Sequence, residues 1–530
     1  MATLWFGGPI YTLAEEGEKV EAVLTEKGRI ISTGKLAELE GSTNAKIDNR
    51  IDLRGCTMIP GLVDSHIHLI GHGERLIRLD LSKCRSRKET LDAVKEYSLG
   101  LKPGEWVIGE GWNENLWETG EPLNKDELDQ FVPDRPVLLK RTCRHACVAN
   151  SVALKAAGVD EETLSPPGGL IEKSPSGRLT GILKDSAQEL VYSIMPEATE
   201  SYLIRSIKAS IKDLHSLGIT GVHTEDLNYY GGFEKTYGVF KRAIEEDGLK
   251  LRAHLLVHHG VLDDFISNGH TYLDGNEWIE FGAMKIFSDG ALGGRTALLS
   301  QPYSDAPETS GVAIFSREEL SALVGKAREH QMPVAIHAIG DLAFEYCLDA
   351  LEANPLKGDG RDRLIHAQIL REDLIVRAKK LPLVLDLQPV FMLSDYPWVI
   401  DRVGEERMRY SYAWKTLIDN GIPCSGGSDA PIEYPNPFLG IAAAVNRTVN
   451  GKVYGSGEAL SVYEAVSLFT RGSAFAASHE NDRGMIKEGM LADFTILDRD
   501  IFATPRESIH ETKAVTTVIG EEIVYKRDRP

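Results

Sequence analysis

Two histidines one residue apart, His66 and His68, close the run Pro60-Gly61-Leu62-Val63-Asp64-Ser65-His66-Ile67-His68. In an extended strand, side chains at i and i+2 point the same way, so both imidazoles face one side and Ile67 the other. Neutral imidazole suits zinc, and two on one strand make half of a ligand set. Alone, such a pair could equally be two polar residues on a solvated strand. Three further apolar stretches end in the same manner: Val334-Ala335-Ile336-His337, Leu364-Ile365-His366 and Gly426-Gly427-Ser428-Asp429. Agreement among four strand ends points to a metal centre.

Lys285, in Ala283-Met284-Lys285-Ile286-Phe287-Ser288-Asp289, shares a strand face with Phe287 and Asp289. A lysine beside metal cations is repelled unless it is neutral or modified. Addition of carbon dioxide to its amine gives a carbamate, an anion whose two oxygens can bridge two metals. The structural alternative is a lysine paired with a carboxylate such as Asp289, which is also a candidate substrate contact.

These residues need a scaffold that brings distant strand ends together. Eight candidate strands alternate with helical stretches: Met58–Ile67, Gly218–Thr224, Leu251–Val257, Ala283–Ser288, Pro333–Ala338, Arg363–Ala367, Leu383–Gln388 and Ile422–Gly426. That alternation predicts a parallel α/β fold, and eight units fit a closed (β/α)₈ TIM-like barrel, whose catalytic groups come from the C-terminal ends of several strands. Both ends of the chain read as short strands and turns, each end with too few strands to bury a face alone. We therefore expect a small β-sandwich composed of residues 1–57 and 483–530, around a barrel of residues 58–482. A long stretch, 71–199, follows the first strand and reads as a structured insertion or lid. Its tryptophans Trp106, Trp112 and Trp117 suggest an apolar pocket or a core.

At 530 residues the chain is long enough for a barrel with accessory units. Its net charge of −20 disfavours nucleic-acid binding. No apolar run nears the ~20 residues that span a bilayer, and residues 1–13 lack the basic start of a secretory signal. Six cysteines scattered over this length read as thiols of a reducing cytoplasm. Cys143-Arg144-His145-Ala146-Cys147 has no second pair at zinc-finger spacing and reads as a chance cluster. A cofactor-dependent barrel enzyme finds no support, because neither a Gly-x-Gly-x-x-Gly helix start after the first barrel strand nor a phosphate loop with Gly-Lys-Ser or Gly-Lys-Thr is present.

The run Pro60–His68 resembles the first-strand signature of the amidohydrolase superfamily, the metal-dependent hydrolases that include dihydroorotase, urease and phosphotriesterase. Met284–Gly293 resembles the branch containing N-substituted formamide deformylase, and Gly484–Asp498 resembles the superfamily's return into its terminal sandwich. The resemblance implies two divalent metal ions, with zinc the expected element. His66 and His68 would bind the more buried ion, Lys285, if N6-carboxylated, would bridge both, and His337 and His366 would bind the second. Asp429 would ligate the first and handle the proton. With Lys285 unmodified, His66, His68, His337 and Asp429 would hold one ion. In that branch a His-Ala pair precedes an Asn-Ser pair; His145-Ala146 and Asn150-Ser151 match it, making His145 a candidate substrate contact, although Cys147-Val148-Ala149 lacks the expected tryptophan. The implied activity is hydrolysis of an amide or formamide carbon–nitrogen bond in a small molecule by metal-activated hydroxide. Cyclic amidase, deaminase and lactonase activities are alternatives on the same centre. A non-catalytic scaffold is disfavoured because all six ligand positions are kept. The family implies a cytoplasmic homodimer.

Overall fold

Eight short buried segments pair side by side in chain order: β1 (Leu62–Ile67), β2 (Ile219–Thr224), β3 (Arg252–His258), β4 (Ile279–Phe287), β5 (Val334–Ala338), β6 (Asp362–His366), β7 (Leu383–Leu387) and β8 (Cys424–Gly426). Each neighbouring pair is parallel. Parallel neighbours require crossovers, and helices such as Glu200–Ser216, Arg317–Glu329 and Asp341–Ala353 supply them. Between β8 and β1 the ring is fastened at its C-terminal rim. There Asp429 N donates to His66 O at 2.7 Å and His68 N donates to Ala430 O at 2.8 Å. The TIM-like barrel expected from the eight units is thus present. This computed structural model describes residues 2–528 apart from 43–46, 103, 115–116, 119, 142–145, 167–168 and 196.

The stretch read as one strand, Met58–Ile67, is two. Thr57–Pro60 pairs antiparallel with Phe494–Leu497, and Gly61 N donates to Asp493 O at 2.8 Å before β1 begins. A Cβ on Gly61 would stand 2.4 Å from Thr220 Oγ1, so only glycine passes β2 there. β4 starts four residues before its expected start because it contains Glu280, a buried carboxylate that a hydrophobic pattern does not include. His254 Nδ1 and His479 Nε2 hold that carboxylate at 3.1 and 2.7 Å.

Strands from both ends of the chain share one sheet. From one edge its order is Glu522–Lys526, Ala514–Ile519, Phe494–Leu497, Thr57–Pro60, Ala2–Tyr11, Lys19–Glu26 and Arg29–Gly34. Ile47–Asp52 lies parallel to the first half of Ala2–Tyr11. Strands from both termini thus meet, as expected, in one unit, and hydrogen bonding is continuous through it. The ten-residue strand Ala2–Tyr11 shifts register between Phe6 and Ile10; one edge pairs with Lys19–Glu26 in both halves, and the other with Ile47–Asp52 in the first half and with Met58 at Ile10. Trp5, Val23, Met58, Phe494 and Val518 form a core here, with Trp5 and Phe494 edge to face at 5.5 Å.

Contacts divide the chain into two units, one of residues 1–73 and 200–530 and one of residues 74–199. The second unit has its own six-stranded sheet, in the order Gly169–Lys173, Leu179–Asp185, Ala146–Ala149, Val137–Arg141, Val107–Trp112 and Leu79–Asp80. Trp112 and Trp117 stack at 6.0 Å in its core, and Trp112 Nε1 donates to Leu139 O at 3.1 Å. Both rings are therefore core rather than pocket wall. His145, with Cys143 and Arg144, lies outside the described residues. No helix among the described residues is long and apolar enough to cross a membrane.

Candidate metal centre

The junction of β1 and β8 sets the first half of the site. Asp64 is buried and accepts from His66 N and Ser428 N, both at 3.1 Å, and from Ser428 Oγ at 2.6 Å. One carboxylate thereby ties the histidine strand to the loop carrying Asp429. A Cβ on Gly427 would stand 2.6 Å from His66 N, so the close approach requires glycine. Asp429 itself adopts a left-handed backbone, φ 57°. This turn places its Oδ1 3.4 Å from His66 Nε2 and 3.3 Å from His68 Nε2.

His68, His366 and His337 each have one nitrogen engaged by the protein, which decides what the other presents, whereas His66 Nδ1 is buried without a partner among the described residues. His68 Nδ1–H donates to Glu225 O at 2.8 Å, leaving Nε2 toward Asp429. His366 Nδ1–H donates to Gln388 Oε1 at 2.7 Å, leaving its Nε2 as acceptor. The Gln388 amide is fixed in that sense by its own N–H donation to Asp386 O at 3.2 Å. His337 Nε2–H donates to Gly290 O at 2.9 Å, so its accepting nitrogen is Nδ1. Ring centroids of His66 and His366 lie 5.5 Å apart, and those of His337 and His366 4.5 Å apart. Lys285 is wholly buried, with Nζ 3.5 Å from His66 Nε2 and 4.3 Å from the Phe287 ring centroid.

His66, His366 and Asp429 each bring one donor atom to a common point, all within 4.8 Å of one another. This grouping joins His66 and Asp429 of the single-ion set expected from sequence with His366. The charge states suit a cation. Burial, then the positive charge of Lys285, holds His66 far below its ordinary pKa, and burial, then His337, does the same for His366. Burial opposes ionisation of Asp429, but the hydrogen bond from His68 and the surrounding positive charge outweigh it and lower its pKa. Unprotonated imidazole nitrogens beside an ionised carboxylate are what a divalent transition ion requires of its ligands. His68 differs. Burial lowers its pKa, but Asp429, Glu225 and Asp226 together push it up to about 9. Burial pushes Lys285 down to about 8 against the pull of Glu225 and Asp429.

Two contributors were missed from sequence. Asp64 stands inside the quoted first-strand motif and Glu225 directly after β2. Glu225 Oε2 lies 3.5 Å from His68 Nδ1, and burial raises this carboxyl to about 7. Scanning the end of every barrel strand for acidic residues would have found Glu225. Asp289, a candidate substrate contact, is engaged by backbone in this structure. Its side chain is wholly buried, Oδ2 accepts from Leu298 N and Gly340 N at 2.9 Å, and Oδ1 accepts from Ile339 N at 3.1 Å. Its oxygens bracket the loops after β4 and β5, with Oδ1 3.3 Å from His337 Nε2.

The model of the amidohydrolase family matches residues 50–525. The YtcJ protein of Bacillus subtilis (strain 168) is 49% identical over 99% of this chain and 100% of its own length. The N-substituted formamide deformylase of Arthrobacter pascens is 27% identical over 98% of this chain and 97% of its own length. Among solved structures, an uncharacterised metal-dependent hydrolase from Pyrococcus horikoshii OT3 superposes with a TM-score of 0.80 at 32% identity, covering 96% of this chain and 99% of that one.

Proposed function

The chain belongs to the amidohydrolase family and is a hydrolase of carbon–nitrogen bonds other than peptide bonds, and from that premise we propose that it cleaves a linear amide or formamide at the β1–β8 rim, with Asp429 moving the proton. The observation that carries this reading is the position of Asp429 Oδ1, 3.4 Å from His66 Nε2 and 3.3 Å from His68 Nε2. His66, His68, His337, His366 and Asp429 would hold divalent metal, two zinc ions in this reading, with Lys285 carboxylated between them. A divalent ion bound there supplies a Lewis acid and lowers the pKa of water from about 15.7 to about 7.

Asp429 is ionised and takes the proton of the attacking water. As the carbon–oxygen bond forms and the carbon–nitrogen bond breaks, Asp429 returns that proton to the departing nitrogen, so an amine and a carboxylic acid leave. Glu225 O holds the His68 ring from behind, with Nε2 3.3 Å from Asp429 Oδ1; on binding an ion, His68 would give up the proton that it shares with Asp429 and leave Nε2 as a ligand. Asp64 and Gly427 keep the two strands close enough for this contact. Lys285 is buried beside His66 with its pKa down to about 8, so the neutral amine that adds carbon dioxide is accessible near neutral pH.

The test is a hydrolysis screen of formamides, N-acyl amines, lactams and lactones with metal-reconstituted protein, alongside metal analysis. Turnover of linear amides with two metals per chain supports the reading. Turnover confined to lactones or lactams moves the substrate class, and one metal per chain removes the lysine bridge.

A further inference from the structure

The barrel mouth is walled by aromatic rings that touch the site histidines in series. Tyr229, in the loop after β2, has its ring 6.4 Å from His68 and 6.2 Å from His258 at the end of β3. His258 lies 6.0 Å from Phe287, and Phe287 lies 5.3 Å from His337. Phe391, after β7, stacks on His366 at 5.8 Å with planes 14° apart. Because these rings come from different strand ends, the series runs around the rim rather than along one element.

Outside the rings stand apolar side chains that folding leaves in solvent. Ile314, Leu393 and Ile432 are 48%, 37% and 59% exposed. Ile314 N donates to Ser288 O at 3.0 Å and Ile432 N to Asp429 O at 2.9 Å, which seats both beside the centre. Exposed apolar side chains on strand-end loops beside a polar centre match the composition of a small-molecule site. None of these rim side chains carries a charge. Arg363 is buried and paired with Asp386 at 2.6 Å, so it offers no free cation to a carboxylate lodged among these side chains.

We propose that this collar binds an aromatic or branched-alkyl arm of the substrate, so that the enzyme selects uncharged amides with one bulky apolar substituent and rejects anionic ones. The proposal rests on the hydrolase reading above and specifies its substrate class.

Hydroxamic acids separate the two, since the head group engages a metal centre and the tail reports on the wall. Binding of acetohydroxamate, phenylacetohydroxamate and its 4-carboxyphenyl analogue to full-length, metal-loaded protein is measured by calorimetry. Burial of the ring predicts a gain of about tenfold or more for phenylacetohydroxamate over acetohydroxamate, with the carboxylate analogue losing that gain. Tyr229→Ala and Leu393→Ser, both at partly exposed positions, are expected to shrink the ratio at least about twofold each. Equal affinities for the first two compounds, equal binding of the carboxylate analogue, or an unchanged ratio in both variants would overturn the collar. Failure of acetohydroxamate itself to bind would instead overturn the metal-hydrolase reading, and the collar with it.

Discussion

Replacing Asp289 by alanine separates a structural carboxylate from a substrate contact. Its oxygens accept three backbone N–H groups, from Leu298, Ile339 and Gly340, at 2.9–3.1 Å. All three donors belong to buried residues, and the loops they occupy follow β4 and β5. Removing the acceptor leaves each N–H without its partner, at about 1–3 kcal/mol apiece. Partial relaxation and water entry reduce the sum, so Asp289→Ala is expected to destabilise the protein by about 3–6 kcal/mol. His337 shares this bracket through its 3.3 Å approach to Asp289 Oδ1, so occupancy of the metal centre should fall too. Urea unfolding of wild type and variant, with metal content measured on the same samples, checks both expectations. If Asp289→Ala unfolds at the wild-type midpoint, retains its metal and shows only a raised KM, the carboxylate contacts substrate after all and the bracket argument fails.

Asp429→Asn should keep the far-ultraviolet circular dichroism of the wild type and lose about 10²–10⁴ in turnover, the usual worth of a positioned acid–base group; activity near wild type rules out its proton-transfer role. Glu225→Gln should weaken metal binding about tenfold in a chelator competition, because it alters the carboxylate behind His68 while the backbone carbonyl stays; an unchanged dissociation constant removes Glu225 from the centre. His215 is a stability probe remote from the chemistry: burial pushes its pKa down to about 4, only partly offset by its 2.7 Å hydrogen bond to Lys250 O. The unfolded chain takes up this proton below about pH 6.5 and the native state only below about 4, so His215 stabilises fully above about 6.5 and loses about 3 kcal/mol on acidification to about 4; His215→Gln should flatten that part of the unfolding profile, and an unflattened profile would refute the assignment.

The barrel was legible because its strands are short apolar runs between helical stretches, a pattern written locally. What was not legible depends on neighbours distant in sequence. Nothing near Gly61 announces that Thr220 will pass within reach of a Cβ there, so one strand was read where two exist. Glu280 looks like a strand breaker until His254 and His479 arrive to hold its carboxylate. The terminal strands were recognised from both ends, but their joining into one sheet follows from a register shift inside Ala2–Tyr11 that composition does not encode. Trp112 and Trp117 suggested a pocket because aromatic residues in an insertion have two common uses, and their burial against Leu139 selects the other.

In the site, residue type was enough to nominate His66, His68, His337, His366 and Asp429, since few side chains bind metal. Their direction is another matter. Parity along a strand predicts where His66 and His68 point, but His366, the last residue of β6, Ala367 and Asp429 have φ of 79°, 46° and 57°, outside the extended range of a regular strand. A non-glycine residue held left-handed costs on the order of 1–3 kcal/mol and persists only where its surroundings over-determine it. Here the surroundings are identifiable: Gln388 grips His366 Nδ1, Ala367 N donates to Ala338 O at 3.1 Å, and Asp429 N is bound to His66 O. The donors His366 and Asp429 thus leave the strand geometry at the rim, turned inward by bonds to adjacent strands. The closed ring is for that reason part of the chemistry: opened at β8, it would leave Asp429 with neither the hydrogen bond that holds its turn nor the histidines it serves.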